Sequence, residues 1–151
     1  MKKFRYSMQS LLVIKQKLED QAKAAYGAAK LRLTEEEEIL AMMQQQRESY
    51  VEEKRQVMAS RLDVPKLNRL QMAVEAMDDR IARQKQNIKK AELALRAAEE
   101  RLVESMTERK TQERLRENAL DAYKQEMNAE EQKEIDERTS FRYGITEAEE
   151  A

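Results

Sequence analysis

The sequence predicts an all-α protein, a long antiparallel two-helix coiled-coil hairpin with an overhanging C-terminal helix. Three observations carry that prediction. The 151 residues are 39% charged and 5% aromatic with two glycines, too little apolar surface to wrap into a ball and typical of long paired helices. Apolar residues recur in heptads, the repeat that keeps one stripe of a helix facing a partner. The single proline, Pro65, sits between the two heptad stretches. Low hydropathy with high charge also marks disordered chains. The balance of 29 basic against 30 acidic residues and the regular apolar spacing argue for helix instead.

The turn is read at Arg61-Leu62-Asp63-Val64-Pro65. Proline has no amide proton and clashes with a preceding helical turn, so it belongs in the first turn of a helix. It pushes Val64 out of the α region, and Asp63 can cap the helix that follows. The first arm then spans about residues 2–60 and the second about 66–140, with one hairpin over 1–144. Gly144 is expected to stop the second helix, leaving 145–151 as a mobile acidic tail.

In the first arm Phe4, Leu11, Leu18 and Ala25, with Ile14 and Ala28, give one apolar stripe. It passes to Leu33, Leu40, Met43, Tyr50 and Val57 after a shift of register. Gly27 lies among alanines and reads as a point of close helix approach. Thr34 with Glu35–Glu38 reads as a solvated face of an unbroken helix. The second arm is cleaner. Leu67, Val74, Ile81, Ile88, Leu95 and Leu102 hold one heptad position, and Leu70, Met77, Gln84, Ala91 and Ala98 the other. Beyond Leu102 the stripe weakens to Ser105, Arg109, Gln112 and Arg116, then revives at Ala119 and Tyr123. Folding at Asp63 sets residues whose numbers sum to about 126 opposite each other. Phe4 then meets Tyr123, and the second helix runs on past that pair.

Chemistry is sparse. Without histidine or cysteine the usual general base, thiol nucleophile and zinc ligands are missing, and the two glycines make no phosphate loop. No catalysis, cofactor or metal is expected. Net charge of −1 gives no field for nucleic acid, and no apolar run approaches the ~20 residues of a membrane span. What remains is surface for partners. Lys2, Lys3 and Arg5 beside Phe4, Tyr6 and Met8 could lie on an anionic membrane, although Phe4 also serves the seam.

The opening Lys3-Phe4-Arg5-Tyr6-Ser7-Met8-Gln9-Ser10-Leu11-Leu12, with Leu115-Arg116-Glu117 and Lys133-Glu134-Ile135-Asp136-Glu137 near the other end, resembles the flagellar export protein FliJ family. The resemblance covers nearly the whole chain. It implies a stalk-like hairpin of the flagellar type III export apparatus, at the cytoplasmic face of the bacterial inner membrane as a peripheral protein, and monomeric when free. It implies that the terminal end enters the hexameric export ATPase ring through Phe4, Met8, Leu11, Tyr123, Met127, Ile135, Asp136 and Arg138. It also implies that the bend-proximal half contacts the cytoplasmic domain of the export gate. The matching residues are Ile39, Met43, Gln46, Tyr50, Ala73, Met77, Arg80 and Gln84. Gln46 stands where the family has an aromatic, and the heptad places Met77 and Gln84 in the seam. Export chaperones are implied as further partners, without assigned residues. A structural coiled-coil tether, dimerising through a continuous helix, and an injectisome stalk homologue are the alternative readings.

Overall fold

Residues 2–150 are described by a computed structural model of the chain. Two helices account for nearly all of them: α1, Gln9–Ala59, and α2, Val64–Glu150. They pack antiparallel, and among the described residues there is no strand. The contacts gather into two compact units. Unit 1 takes the described residues of Met1–Glu19 and Ser105–Ala151; unit 2 is Asp20–Glu104 and contains the turn.

The reversal falls at 60–63, where the lone proline placed it. The main-chain amide of Lys66 donates to Asp63 Oδ1 at 3.2 Å, and that of Leu67 to the Asp63 carbonyl at 3.0 Å. Asp63 is thus the N-cap. Val64 is itself the first helical residue, one or two positions earlier than the sequence suggested. Replacing Asp63 with alanine is expected to cost about 1 kcal/mol, because the amides at the start of α2 lose an acceptor. Urea unfolding of D63A against wild type measures it.

Two helix bounds are corrected. The first arm is helical from Gln9, not from Lys2; residues 2–6 lead in and a turn at 7–8 starts the helix, Gln9 N–H donating to the Tyr6 carbonyl at 3.1 Å. At the other end α2 continues through Gly144 to Glu150. A glycine within a helix costs only about 1 kcal/mol, which the helix formers around it offset.

The α2 seam is the predicted one, with Leu70, Val74, Met77, Ile81, Gln84 and Ala91 buried. The first third of the α1 seam is corrected by one position. Ile14 and Leu18, read as seam residues, are 52% and 41% exposed, while Leu12 and Glu19 are buried. The residues that α2 covers follow one uninterrupted heptad through Leu12, Glu19, Tyr26, Leu33, Leu40, Arg47 and Lys54. The companion row is Lys15, Ala22, Ala29, Glu36, Met43, Tyr50 and Val57. No register shift occurs. The apparent shift came from following apolar side chains only, whereas this seam admits charged ones and satisfies them across the helix pair.

Gly27 is exposed, and a Cβ added there meets nothing within 4 Å. It is not a point of close approach, as had been expected. Gly27→Ala should therefore stabilise unit 2, by up to about 1 kcal/mol from helix propensity alone. A rise in thermal midpoint tests this; a fall would mean the glycine serves a contact that the fold does not show.

Candidate functional site

In unit 1 the α1 and α2 segments are joined chiefly by polar groups. Lys15 Nζ lies 2.8 Å from Glu108 Oε2. Arg109 Nε–H donates to Glu19 Oε2, and its terminal nitrogen lies 2.8 Å from Glu113 Oε2. Glu113 and then Glu19 raise the guanidinium's pKa above its ordinary value, so the arginine is a permanent cation between two carboxylates. Arg116 donates to Gln9 Oε1 at 3.3 Å, and the Tyr6 hydroxyl to Gln112 Oε1 at 3.4 Å. Arg109, Gln112 and Arg116, where the α2 heptad seemed to weaken, are thus seam residues with partners.

The predicted pairing of Phe4 with Tyr123 is present, with ring centroids 5.5 Å apart and tilted by 49°. The Tyr123 hydroxyl donates to the Lys2 carbonyl, and the Arg116 guanidinium lies 5.6 Å from the Phe4 ring centre. Phe4 is therefore engaged within unit 1, which disfavours the reading of the first turn as a membrane contact. Of the residues matched to the ATPase ring, Phe4, Leu11, Tyr123 and Met127 are half-buried; Met8, Ile135, Asp136 and Arg138 are exposed. With Ile14 and Leu18 outside the seam, Leu11, Ile14 and Leu18 form an i, i+3, i+7 apolar row that α2 leaves largely uncovered.

Unit 2 carries the apolar seam and all the residues matched to the export gate. Ile39, Gln46 and Arg80 are exposed; Met43, Tyr50 and Ala73 are half-buried. Met77 and Gln84 are only 6% and 4% exposed, so neither offers contact surface. Gln84 instead closes a buried polar joint. Its amide donates to the Glu36 carbonyl at 2.8 Å and to Glu36 Oε2 at 2.5 Å, while Asn87 donates back to Gln84 Oε1 at 3.2 Å. Arg32 pairs with the other Glu36 oxygen at 2.9 Å. The Gln84 hydrogen bond outweighs the cost of burial and, with Arg32, holds the Glu36 carboxyl below the ordinary carboxylate value of 4.5. Reading Glu35–Glu38 as a wholly solvated face missed this residue. Arg47 to Asp78, 2.5 Å, and Lys54 to Gln71 complete the crossings.

Sequence reasoning also missed Lys15, Glu19, Arg47 and Lys54. The signal was available: each lies on a strict heptad with Leu12 or Val57, and each faces a polar residue of α2. Among the described residues no group of three or more carboxylates gathers to hold a metal ion. No helix among them is long and apolar enough to cross a membrane.

The profile of the family described as Flagellar FliJ protein matches residues 4–146. The chain belongs to the FliJ family. Membership associates it with the flagellar export apparatus. A solved structure described as a YscO homolog, CT670 of Chlamydia trachomatis, is similar in fold. Its TM-score is 0.76 at 18% identity, over 96% of this chain and 98% of that one. No curated protein sequence matches the chain.

Proposed function

We propose that this FliJ-family chain is a non-catalytic coupling protein of flagellar export. In this reading it binds the export ATPase hexamer through unit 1 and the cytoplasmic domain of the export gate through unit 2, and engages export chaperones. It works at the cytoplasmic face of the inner membrane, as a peripheral protein and a monomeric hairpin when free. The observation that carries the reading is the apolar row of half-buried Leu11 with exposed Ile14 and Leu18, and exposed Met8 beside it in sequence. A helix face of this kind, left open by its own partner helix, is what another protein covers. The family relation supports taking that protein to be a component of the flagellar export apparatus. Family-matched contacts also divide cleanly: the ATPase set lies wholly in unit 1 and the gate set wholly in unit 2. With no histidine or cysteine in the sequence, the chain lacks the commonest catalytic groups.

The test is a two-way separation. Ile14→Asp with Leu18→Asp should abolish stimulation of the purified ATPase while leaving capture by the gate domain intact. Ile39→Asp with Gln46→Asp should do the opposite. All four positions are exposed, so circular dichroism should stay helical. If both double variants behave as wild type in both assays, the coupling role is wrong.

A further inference from the structure

Residues 54–72, around the turn of unit 2, carry Lys54, Arg55, Arg61, Lys66 and Arg69 against one acid, Asp63, in a protein of net charge −1. Lys54 is bonded to Gln71 and Arg55 to Glu52, which lies just outside the segment. The side chains of Arg61, Lys66 and Arg69 take no ion pair. Asp63 does not neutralise them freely, because its Oδ1 is held by the first turn of α2. Among these cations stand three apolar side chains with no cover: Met58 at the end of α1, Leu62 in the turn and Val64 at the start of α2, exposed by 63%, 70% and 53%. They cannot turn inward, since Val57 and Leu70 already fill the buried seam positions at this end.

We propose that this turn docks on an anionic lipid surface. Met58, Leu62 and Val64 enter the interfacial layer, and Arg61, Lys66 and Arg69 meet lipid phosphates. The concavity at this reverse turn is shallow, open and lined only by Arg61, Leu62, Asp63, Val64 and Pro65, too short a stretch to seat a peptide or helix. A fluid bilayer needs no groove, and its charge complements unpaired cations in any arrangement. Exposed leucine and valine flanked by arginine and lysine match the usual pattern of shallow insertion with basic side chains reaching back to the headgroups. No helix among the described residues is long and apolar enough to span, so the proposed contact is peripheral. None of residues 54–72 belongs to either contact set of the proposed function.

The experiment is flotation of the full-length protein with vesicles. One set is phosphatidylcholine alone and the other contains roughly three parts in ten phosphatidylglycerol. Wild type should float with the anionic vesicles only, and should be released as salt shortens the Debye length. The triple variant R61Q/K66Q/R69Q should lose on the order of a hundredfold in partitioning, at about fivefold per basic residue near such a surface. The double variant L62S/V64S should also bind more weakly, and its residual binding should be more sensitive to salt. Both sets of changes are exposed and leave Asp63 and Pro65 in place, and unchanged helicity confirms the fold. K2Q/K3Q/R5Q serves as the control and should bind as wild type. Loss of binding in that control alone, equal binding to both vesicle types, or no binding to either would overturn the proposal. So would retention on immobilised polyglutamate without flotation, which would assign the turn to an acidic protein. ATPase stimulation and gate capture should be unchanged in the turn variants, so this result stands or falls separately from the coupling role.

Discussion

Ile81→Ala should produce the largest loss of stability of any single apolar truncation in unit 2, about 2–4 kcal/mol. Ile81 is buried in the α2 seam, between Met77 and Gln84 and one heptad from Val74. Truncation removes the transfer energy of its side chain and leaves a gap that two stiff helices cannot readily close. Among the described residues no side chain is below 2% exposure, so the lower half of that range applies: this is a seam with water on both flanks. Leu93→Ala is the matched control. Leu93 lies on the open face of the same helix, and its loss should stay within about 0.5 kcal/mol. Hydrogen exchange should locate the effect, with protection falling in unit 2 for I81A and nowhere for L93A. Equal losses from the two variants would mean that the seam does not hold the helices together.

The fold itself was legible because three signals agreed. Pro65 and Asp63 fixed where the chain reverses, the α2 heptad fixed which face is inside, and Phe4 opposite Tyr123 fixed the alignment. The α1 seam was less legible for a physical reason. A search for the most apolar stripe picks Leu11, Ile14, Leu18 and Ala25 over Leu12, Lys15, Glu19 and Ala22. It does so because it prices each side chain alone and never asks what stands opposite. Glu19 is acceptable inside because Arg109 faces it, and Lys15 because Glu108 does. Charge complementarity between two segments far apart in sequence decided the register, and Ile14 and Leu18 of the stripe that lost stand exposed in unit 1. The proposed contact sets rest on the family resemblance alone. Of those residues, burial removes Met77 and Gln84, which the heptad alone had already placed in the seam.

Gln84→Leu should destabilise the protein at neutral pH although it adds apolar volume to a seam. The substitution removes both hydrogen bonds to Glu36 and leaves a buried carboxylate with Arg32 as its remaining partner. An unmatched charge in such a place costs more than the pair contributed. The companion variant Glu36→Leu/Gln84→Leu puts apolar against apolar and should melt above wild type by a few degrees, as replacement of buried polar clusters often does. Acid supplies the diagnostic. In the wild type the Glu36 pKa is lowered on folding, so its contribution to stability is fully present above the ordinary carboxylate value of 4.5 and is lost as pH falls through the lower folded value. In Q84L the largest cause of that lowering is gone while the cost of burial remains, and protonation relieves the buried charge. The gap in melting temperature between wild type and Q84L should therefore be widest at neutral pH and close progressively below about pH 4.5, whereas the double variant should show no such closing with respect to Glu36. A gap that stays constant down to about pH 3 would show that Gln84 acts by packing and that the buried carboxylate is not what it serves.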